Sequence, residues 1–218
     1  MENKTPDRIL ENGIIAIARG IYGEKLLYAV GALLDAGIRA VEVTFDQNTS
    51  GVDTFEAIIK LKSAFKNDSA IGSGTVLTQE QLKLAYHAGA DFIVSPNTDE
   101  SIIRETKRLG LVSVPGAMTP SEIVAAHSYG ADIVKVFPSG ALGVEYFSAI
   151  TTPLSHIRCA AVGGVTLENL SDFKRAGACA FGISSSLFNK KLIENEAFEE
   201  ISKNAAEFIF AARNERGE

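Results

Sequence analysis

An apolar run followed by a helical pattern occurs eight times along the 218 residues, at roughly 20–25 residue spacing, and this alternation constrains the fold most. The apolar runs lie at residues 13–18, 39–45, 70–75, 91–95, 111–114, 131–138, 157–162 and 179–183. Helical spacing follows them at 23–36, 54–65, 79–88, 99–109, 119–129, 143–150, 166–176 and 196–213, and residues 5–11 predict a short lead-in helix. Strict alternation implies a parallel sheet with right-handed crossovers. Eight units imply closure into a barrel, so the predicted fold is α/β, a single-domain (β/α)8 TIM barrel over residues 1–218 with a short N-terminal helix. The phrases Asp35-Ala36-Gly37, His87-Ala88-Gly89-Ala90-Asp91, Ser128-Tyr129-Gly130-Ala131-Asp132 and Arg175-Ala176-Gly177-Ala178 recur at helix ends, where glycine stops a helix and a short turn enters the next strand. Thr119-Pro120-Ser121-Glu122 reads as an N-cap with proline in the first helical position.

Charge and composition disfavour several partner classes. The formal net charge of −6 argues against nucleic acid and against a polybasic membrane patch. The run from Met1 to Asp7 is polar, so no signal peptide is expected, and no apolar stretch is long enough to span a bilayer. Cys159 and Cys179 form no paired motif and read as small core residues of a reduced compartment, which points to the cytoplasm. His87, His127 and His156 follow no metal-ligand spacing, so no metal site is expected.

The chemistry centres on the sixth run, Ala131-Asp132-Ile133-Val134-Lys135-Val136-Phe137-Pro138. An ammonium in a buried strand is costly unless it is paired or gives up its proton. Burial favours the neutral amine, and a neutral amine attacks carbonyls, which suggests a Schiff-base lysine. The alternatives are an edge-strand surface lysine or a structural lysine paired to a buried carboxylate.

In a barrel the active site gathers at the C-terminal ends of the strands. Those ends offer Arg19, Glu42 and Thr44, Thr75, Ser95 and Pro96, Lys135, Gly163-Gly164, and then Ser184 and Ser185 after Gly182. Alternation in Ala40-Val41-Glu42-Val43-Thr44-Phe45 puts Glu42 into the barrel if the valines pack against helices. There it is either a structural partner of Lys135 or a general acid/base that relays protons through water. Gly163-Gly164 is expected to open helix seven and offer its amides to an anion, with hydroxyls and further amides from Ser184 and Ser185.

Six ordered motifs then carry a resemblance that covers about residues 14–188. They are Val41-Glu42-Val43-Thr44, Gly72-Ser73-Gly74-Thr75-Val76, Ile93-Val94-Ser95-Pro96, Val114-Pro115-Gly116-Ala117-Met118-Thr119-Pro120, Val134-Lys135-Val136-Phe137-Pro138 and Gly163-Gly164-Val165. The chain is similar to the 2-keto-3-deoxy-6-phosphogluconate / 4-hydroxy-2-oxoglutarate aldolases. That resemblance implies a homotrimeric, metal-independent class I aldolase, with no cofactor beyond a covalent imine between Lys135 and pyruvate. It implies Glu42 as the proton shuttle and Thr75 and Pro96 as part of the wall around the pyruvyl group. It implies Gly163, Gly164 and Ser185 as the phosphate site, in a loop where Ser184 replaces the family's usual glycine. Cleavage of a 2-keto-3-deoxy sugar acid, expected to be 2-keto-3-deoxy-6-phosphogluconate and/or 4-hydroxy-2-oxoglutarate, to pyruvate and an aldehyde such as glyceraldehyde 3-phosphate would follow.

The sequence departs from the family where many members carry arginine four residues after the glutamate and threonine before the double glycine. Here those positions are Asp46 and Val162, and Arg19 is either the nearest candidate to hold a substrate carboxylate or a salt-bridge partner of Glu42 or Asp46. Two other readings stay open. One is a phosphate-binding barrel transferase or isomerase, of the thiamine-phosphate-synthase or epimerase type. The other is a non-catalytic paralogue that binds a sugar-acid phosphate.

Overall fold

The computed structural model describes residues 5–65 and 68–213. Residues 1–4 and 214–218, part of the expected single domain and of the polar amino terminus, lie outside the described residues. The chain forms a nearly closed barrel of parallel strands with alternating helices, as the pattern predicts.

The strands are β1 (Ile14–Ala18), β2 (Ala40–Thr44), β3 (Ala70–Gly74), β4 (Phe92–Val94), β5 (Val112–Val114), β6 (Gly116–Ala117), β7 (Val134–Val136), β8 (Cys159–Val162) and β9 (Ala180–Ile183). The helices are α1 (Thr5–Leu10), α2 (Gly23–Asp35), α3 (Val52–Phe65), α4 (Gln79–His87), α5 (Glu100–Arg108), α6 (Pro120–Ser128), α7 (Ser139–Leu142), α8 (Val144–Thr151), α9 (Leu170–Arg175), α10 (Lys190–Glu194) and α11 (Phe198–Arg213). The strand order runs β5-β4-β3-β2-β1-β9-β8-β7-β6.

The fifth predicted strand appears as two pieces, β5 and β6, because Pro115 between them has no N–H to give the ladder. The two pieces are the ends of the sheet order and together close the ring. β5 pairs with β4, β6 pairs with β7, and the Lys135 N–H donates to the Pro115 carbonyl at 2.8 Å.

Alternation along the strands divides the apolar residues into two cores. The outer one lies between strands and helices and includes Val41, Val43, Ile71, Val134 and Val136. The inner one fills the barrel with residues such as Ile15, Phe92, Val112, Ile133 and Ala160, and Ile9 of α1 joins it from below. Strands covered on both faces explain why these segments read as nearly continuous apolar runs. Each large side chain buried this way contributes about 1.5–3 kcal/mol relative to exposure.

The recurring glycine phrases gain a second explanation. Gly37, Gly89, Gly130 and Gly177 take positive φ values just past helices, as expected of C-terminal stops. In two of the phrases the aspartate is a clamp. Asp91 accepts Lys62 Nζ at 2.7 Å and the Ile71 N–H at 2.8 Å, while Asp132 accepts Lys107 Nζ at 2.6 Å and the Ser113 N–H at 2.7 Å. Each carboxylate thus joins a helix to a neighbouring strand at the end of the barrel opposite the proposed chemistry.

The predicted helix opening at Thr119 is present with a full capping box, in which Thr119 and Glu122 cap each other's backbone. Helix seven is shorter than expected, for its pattern begins at Thr166 but α9 starts at Leu170. Asn169 holds the preceding turn, accepting from the Thr166 N–H at 2.8 Å and donating to the Gly164 carbonyl at 2.9 Å. The final predicted helix starts at Phe198, since Glu196 sits at φ 56 and separates α10 from α11.

Candidate active site

Glu42 and Lys135 both point into the barrel and are 2% and 7% exposed. Glu42 is in register with Ile17 on one side and Gly72 on the other. Its side chain fills the space beside Gly74, where a β-carbon would overlap the carboxyl and lie 2.7 Å from Cγ. Gly72 makes equivalent room for the ring of Phe92. Lys135 lies between Gly116 and Ala160 in register, so small neighbours leave space around its stem. Its Nζ sits 4.8 Å from the centroid of the Phe137 ring.

The two charges influence each other without an ion pair or hydrogen bond between them among the described residues. Burial raises the Glu42 carboxyl above its usual range, partly offset by the attraction of Lys135 and of Arg19. Burial lowers the Lys135 ammonium, Glu42 opposes that shift, and Arg19 adds to it. Desolvation thus pushes both groups toward neutrality, which suits one for nucleophilic attack and the other for proton transfer.

Arg19 follows β1 directly and is exposed. With Ser184, Ser185, Lys190 and Lys191 it lines a cavity of about 520 Å³, whose lining holds three cations and no carboxylate. The Ser184 hydroxyl donates to the Ile17 carbonyl at 3.1 Å and so ties the end of β9 to β1. Ser185 is exposed. Pro96 packs by its backbone against Gly116, the residue in register with Lys135, at a separation that only a glycine tolerates. Thr75 directly follows β3 at φ 55, a left-handed conformation that is costly for a β-branched residue.

The double glycine differs from expectation. Gly163 and Gly164 have φ values of 84 and 77 and do not open a helix, since α9 begins six residues beyond Gly164. They pack instead against the turn after β7 and the start of α7. A β-carbon on Gly163 would meet the Phe137 ring at 2.9 Å, one on Gly164 would meet Gly140 Cα at 3.0 Å, and the Gly140 N–H donates to the Gly163 carbonyl at 2.7 Å. Any anion held there meets the amides of a glycine turn, not a helix N-terminus.

The two departures from the family pattern also find places. Asp46 is exposed and turns its carboxylate into its own loop, where Oδ1 accepts the Asn48 N–H at 2.9 Å and Asn48 Nδ2 at 3.0 Å. Val162 faces the barrel interior, packed over Gly182, where a β-carbon would meet it at 2.8 Å.

Phe137 and Gly74 border the two charged groups, and reading residue types alone did not single them out. Phe137 shares the inward face with Lys135 by simple alternation, which is the signal that could have found it. Among the described residues no group of three or more histidines, cysteines, aspartates or glutamates gathers where a metal ion could be held.

Comparison with known proteins supplies the remaining context. The family model described as KDPG and KHG aldolase matches residues 7–204. The 2-dehydro-3-deoxy-6-phosphogalactonate aldolase of Escherichia coli strain K12 is 36% identical over 201 residues, covering 92% of this chain and 94% of that protein. The KHG/KDPG aldolase of the same strain is 31% identical over 194 residues, covering 87% and 89%. A solved structure of native KDPGal superposes with a TM-score of 0.83 at 36% identity, over 92% of this chain and 94% of its own.

Proposed function

Because the chain belongs to the KDPG and KHG aldolase family, we propose that it is a class I aldolase acting on a 2-keto-3-deoxy-6-phospho sugar acid through an imine on Lys135. The observation that carries this reading is the buried Lys135, whose ammonium is destabilised inside the barrel within electrostatic reach of the buried Glu42. The relatives named for phosphogalactonate favour the galactonate configuration over its C4 epimer, the gluconate that the motifs alone suggested.

The neutral Lys135 amine attacks C2 of the substrate, forming a C–N bond while the carbonyl oxygen takes up a proton. Loss of that oxygen as water gives the protonated imine. Glu42 then removes the C4 hydroxyl proton, through a water, as the C3–C4 bond breaks. The bonding pair moves into the iminium and leaves an enamine on the lysine, and C4 departs as the aldehyde carbon of glyceraldehyde 3-phosphate. Protonation at C3 and hydrolysis of the imine release pyruvate and restore the amine.

Thr75, Pro96 and Phe137 wall the pyruvyl end. Arg19, Ser184 and Ser185, with the Gly163 and Gly164 amides, take the anionic ends of the substrate, and Lys190 and Lys191 add positive charge at the mouth. The chemistry needs no further cofactor on this reading. A homotrimer and a cytoplasmic setting accompany it. Sizing by light scattering tests the former. No helix among the described residues is long and apolar enough to cross a membrane.

The test is borohydride reduction in the presence of pyruvate, followed by intact mass and peptide mapping. A reduced pyruvyl adduct on Lys135, absent in Lys135→Ala, is expected. No adduct on folded protein in a large excess of pyruvate would overturn the imine mechanism. Parallel assays with the two C4 epimers decide the configuration.

A further inference from the structure

We propose that Gln47 is a positioning residue for this reaction, holding Thr75 in its left-handed backbone through a side-chain relay anchored by Gln81. The proposal rests on the aldolase reading above and deepens it.

Thr75 at φ 55 joins the end of β3 to the loop that follows, in a conformation its branched side chain disfavours. Such a conformation persists only when the surroundings over-determine it. Around Thr75 they do. The Gly74 carbonyl accepts the Phe45 N–H at 2.9 Å, and the Val76 N–H donates to the Val94 carbonyl at 3.2 Å. The Val76 carbonyl accepts Ser95 Oγ at 2.7 Å. Thr75's own carbonyl accepts Gln47 Nε2 at 2.9 Å, a contact made by a side chain from the loop between β2 and α3.

Gln47 is itself held. Its Oε1 accepts Gln81 Nε2 at 2.9 Å, and Gln81 Oε1 accepts the Leu77 N–H at 2.8 Å. The relay therefore begins at a backbone donor, Leu77, and ends at a backbone acceptor, the Thr75 carbonyl. Those two ends fix the orientation of both amides, since flipping either would set oxygen against oxygen. The loop that delivers Gln47 is shaped by Asp46, which accepts from Asn48 with its side chain and from the Thr49 N–H with its carbonyl at 3.3 Å. The position where many family members carry arginine thus serves here to present the next residue.

The relay reaches the chemistry through one peptide unit. Thr75 follows Gly74, and Gly74 is the residue whose missing side chain makes room for the Glu42 carboxyl. A Thr75 that relaxed toward an ordinary φ would reorient the Gly74–Thr75 peptide beside that carboxyl. The expected consequence is misplacement of the proton-transfer group with little change in imine formation at Lys135.

The experiment is Gln47→Glu, which keeps the shape but removes the N–H and sets an acceptor against the Thr75 carbonyl, with Gln81→Ala as a second way to break the relay. Expected is a fall in kcat of about fivefold, the rate equivalent of one hydrogen bond, with KM and the borohydride-trapped pyruvate adduct unchanged. The same substitution is then made in Thr75→Gly and in Thr75→Asn, residues that accept the left-handed conformation, and there the loss should vanish. Native kcat in Gln47→Glu, or an equal loss in all three backgrounds, would overturn the proposal. Absence of any adduct in the parent protein would instead strike the aldolase reading, so the two failures are distinguishable.

Discussion

Gly74 lies directly beneath the Glu42 carboxyl, in the space that any other residue's β-carbon would occupy. The carboxyl is the far end of a flexible side chain, but it is enclosed by the barrel and only 2% exposed, so it cannot swing aside freely. Gly74→Ala is therefore expected to displace the carboxylate rather than unfold the barrel. The stability cost should fall in the usual overpacking range of about 1–3 kcal/mol. Turnover should drop at least tenfold, within the roughly 10²–10⁴-fold that a positioned acid/base group contributes. Thermal unfolding and kcat measured on one preparation separate the two effects.

Replacing Glu42 by glutamine has opposite consequences for turnover and for amine reactivity. Glu42 raises the Lys135 pKa against burial, with Arg19 acting the other way. In Glu42→Gln the amine therefore becomes neutral at lower pH, and the acid limb of adduct formation with pyruvate should move to lower pH while kcat collapses. Stability changes as well. A carboxyl whose pKa is raised by folding gives its full contribution below the unfolded value of 4.5 and loses it as pH rises through the folded value. Glutamine mimics the protonated form at every pH, so the variant should melt above the parent at pH 8 and match it near pH 4. A parent that melts higher at pH 8 would contradict the burial argument.

The barrel and its central lysine were legible in the sequence because both rest on local pattern. Strands buried on both faces give continuous apolar runs, and a charge within such a run stands out, as Lys135 does. Glu42 was legible for a related reason, since Val41 and Val43 fixed its face. What stayed hidden depends on non-local contact or on one backbone atom. Pro115 splits a strand without changing its apolar character. Gly163-Gly164 reads as the start of a helix until Gly140 is seen packed against it and Asn169 is found holding the turn. The Gln47–Gln81 relay joins residues 34 apart in the chain, and neither side chain has a pattern that announces it.

The cysteines offer a check on burial that is independent of the active site. Cys159 is buried, Cys179 is partly buried, and both thiols are free. Desolvation pushes Cys159 up to about 12 and Cys179 up to about 11. The thiolate is the reactive form, so little of either is present at pH 8. Iodoacetamide at that pH should leave the folded protein almost unmodified over an hour and label both residues in denaturant, as read by intact mass. Rapid labelling of folded Cys159 would mean that the shell between β8 and its helices opens readily.

Arg19 and the lysine pair at the cavity mouth should respond differently to mutation, although all three are cations in one cavity. The chain carries a formal net charge of −6, so an approaching phosphorylated acid meets an unfavourable overall field. A cleft lined by Arg19, Lys190 and Lys191 reverses that field locally. Removing the charges of Lys190 and Lys191 together should raise KM for a phosphorylated substrate several-fold, flatten its dependence on ionic strength, and leave kcat and the pyruvate adduct unchanged. Arg19 also acts on the barrel interior, since its charge lowers the Lys135 pKa. In Arg19→Ala that repulsion is gone, so the Lys135 pKa rises and the acid limb of adduct formation moves to higher pH, opposite to the shift expected for Glu42→Gln. Adduct yield against pH for the three variants tests the assignment: the lysine double variant should overlay the parent, and the other two should fall on either side of it.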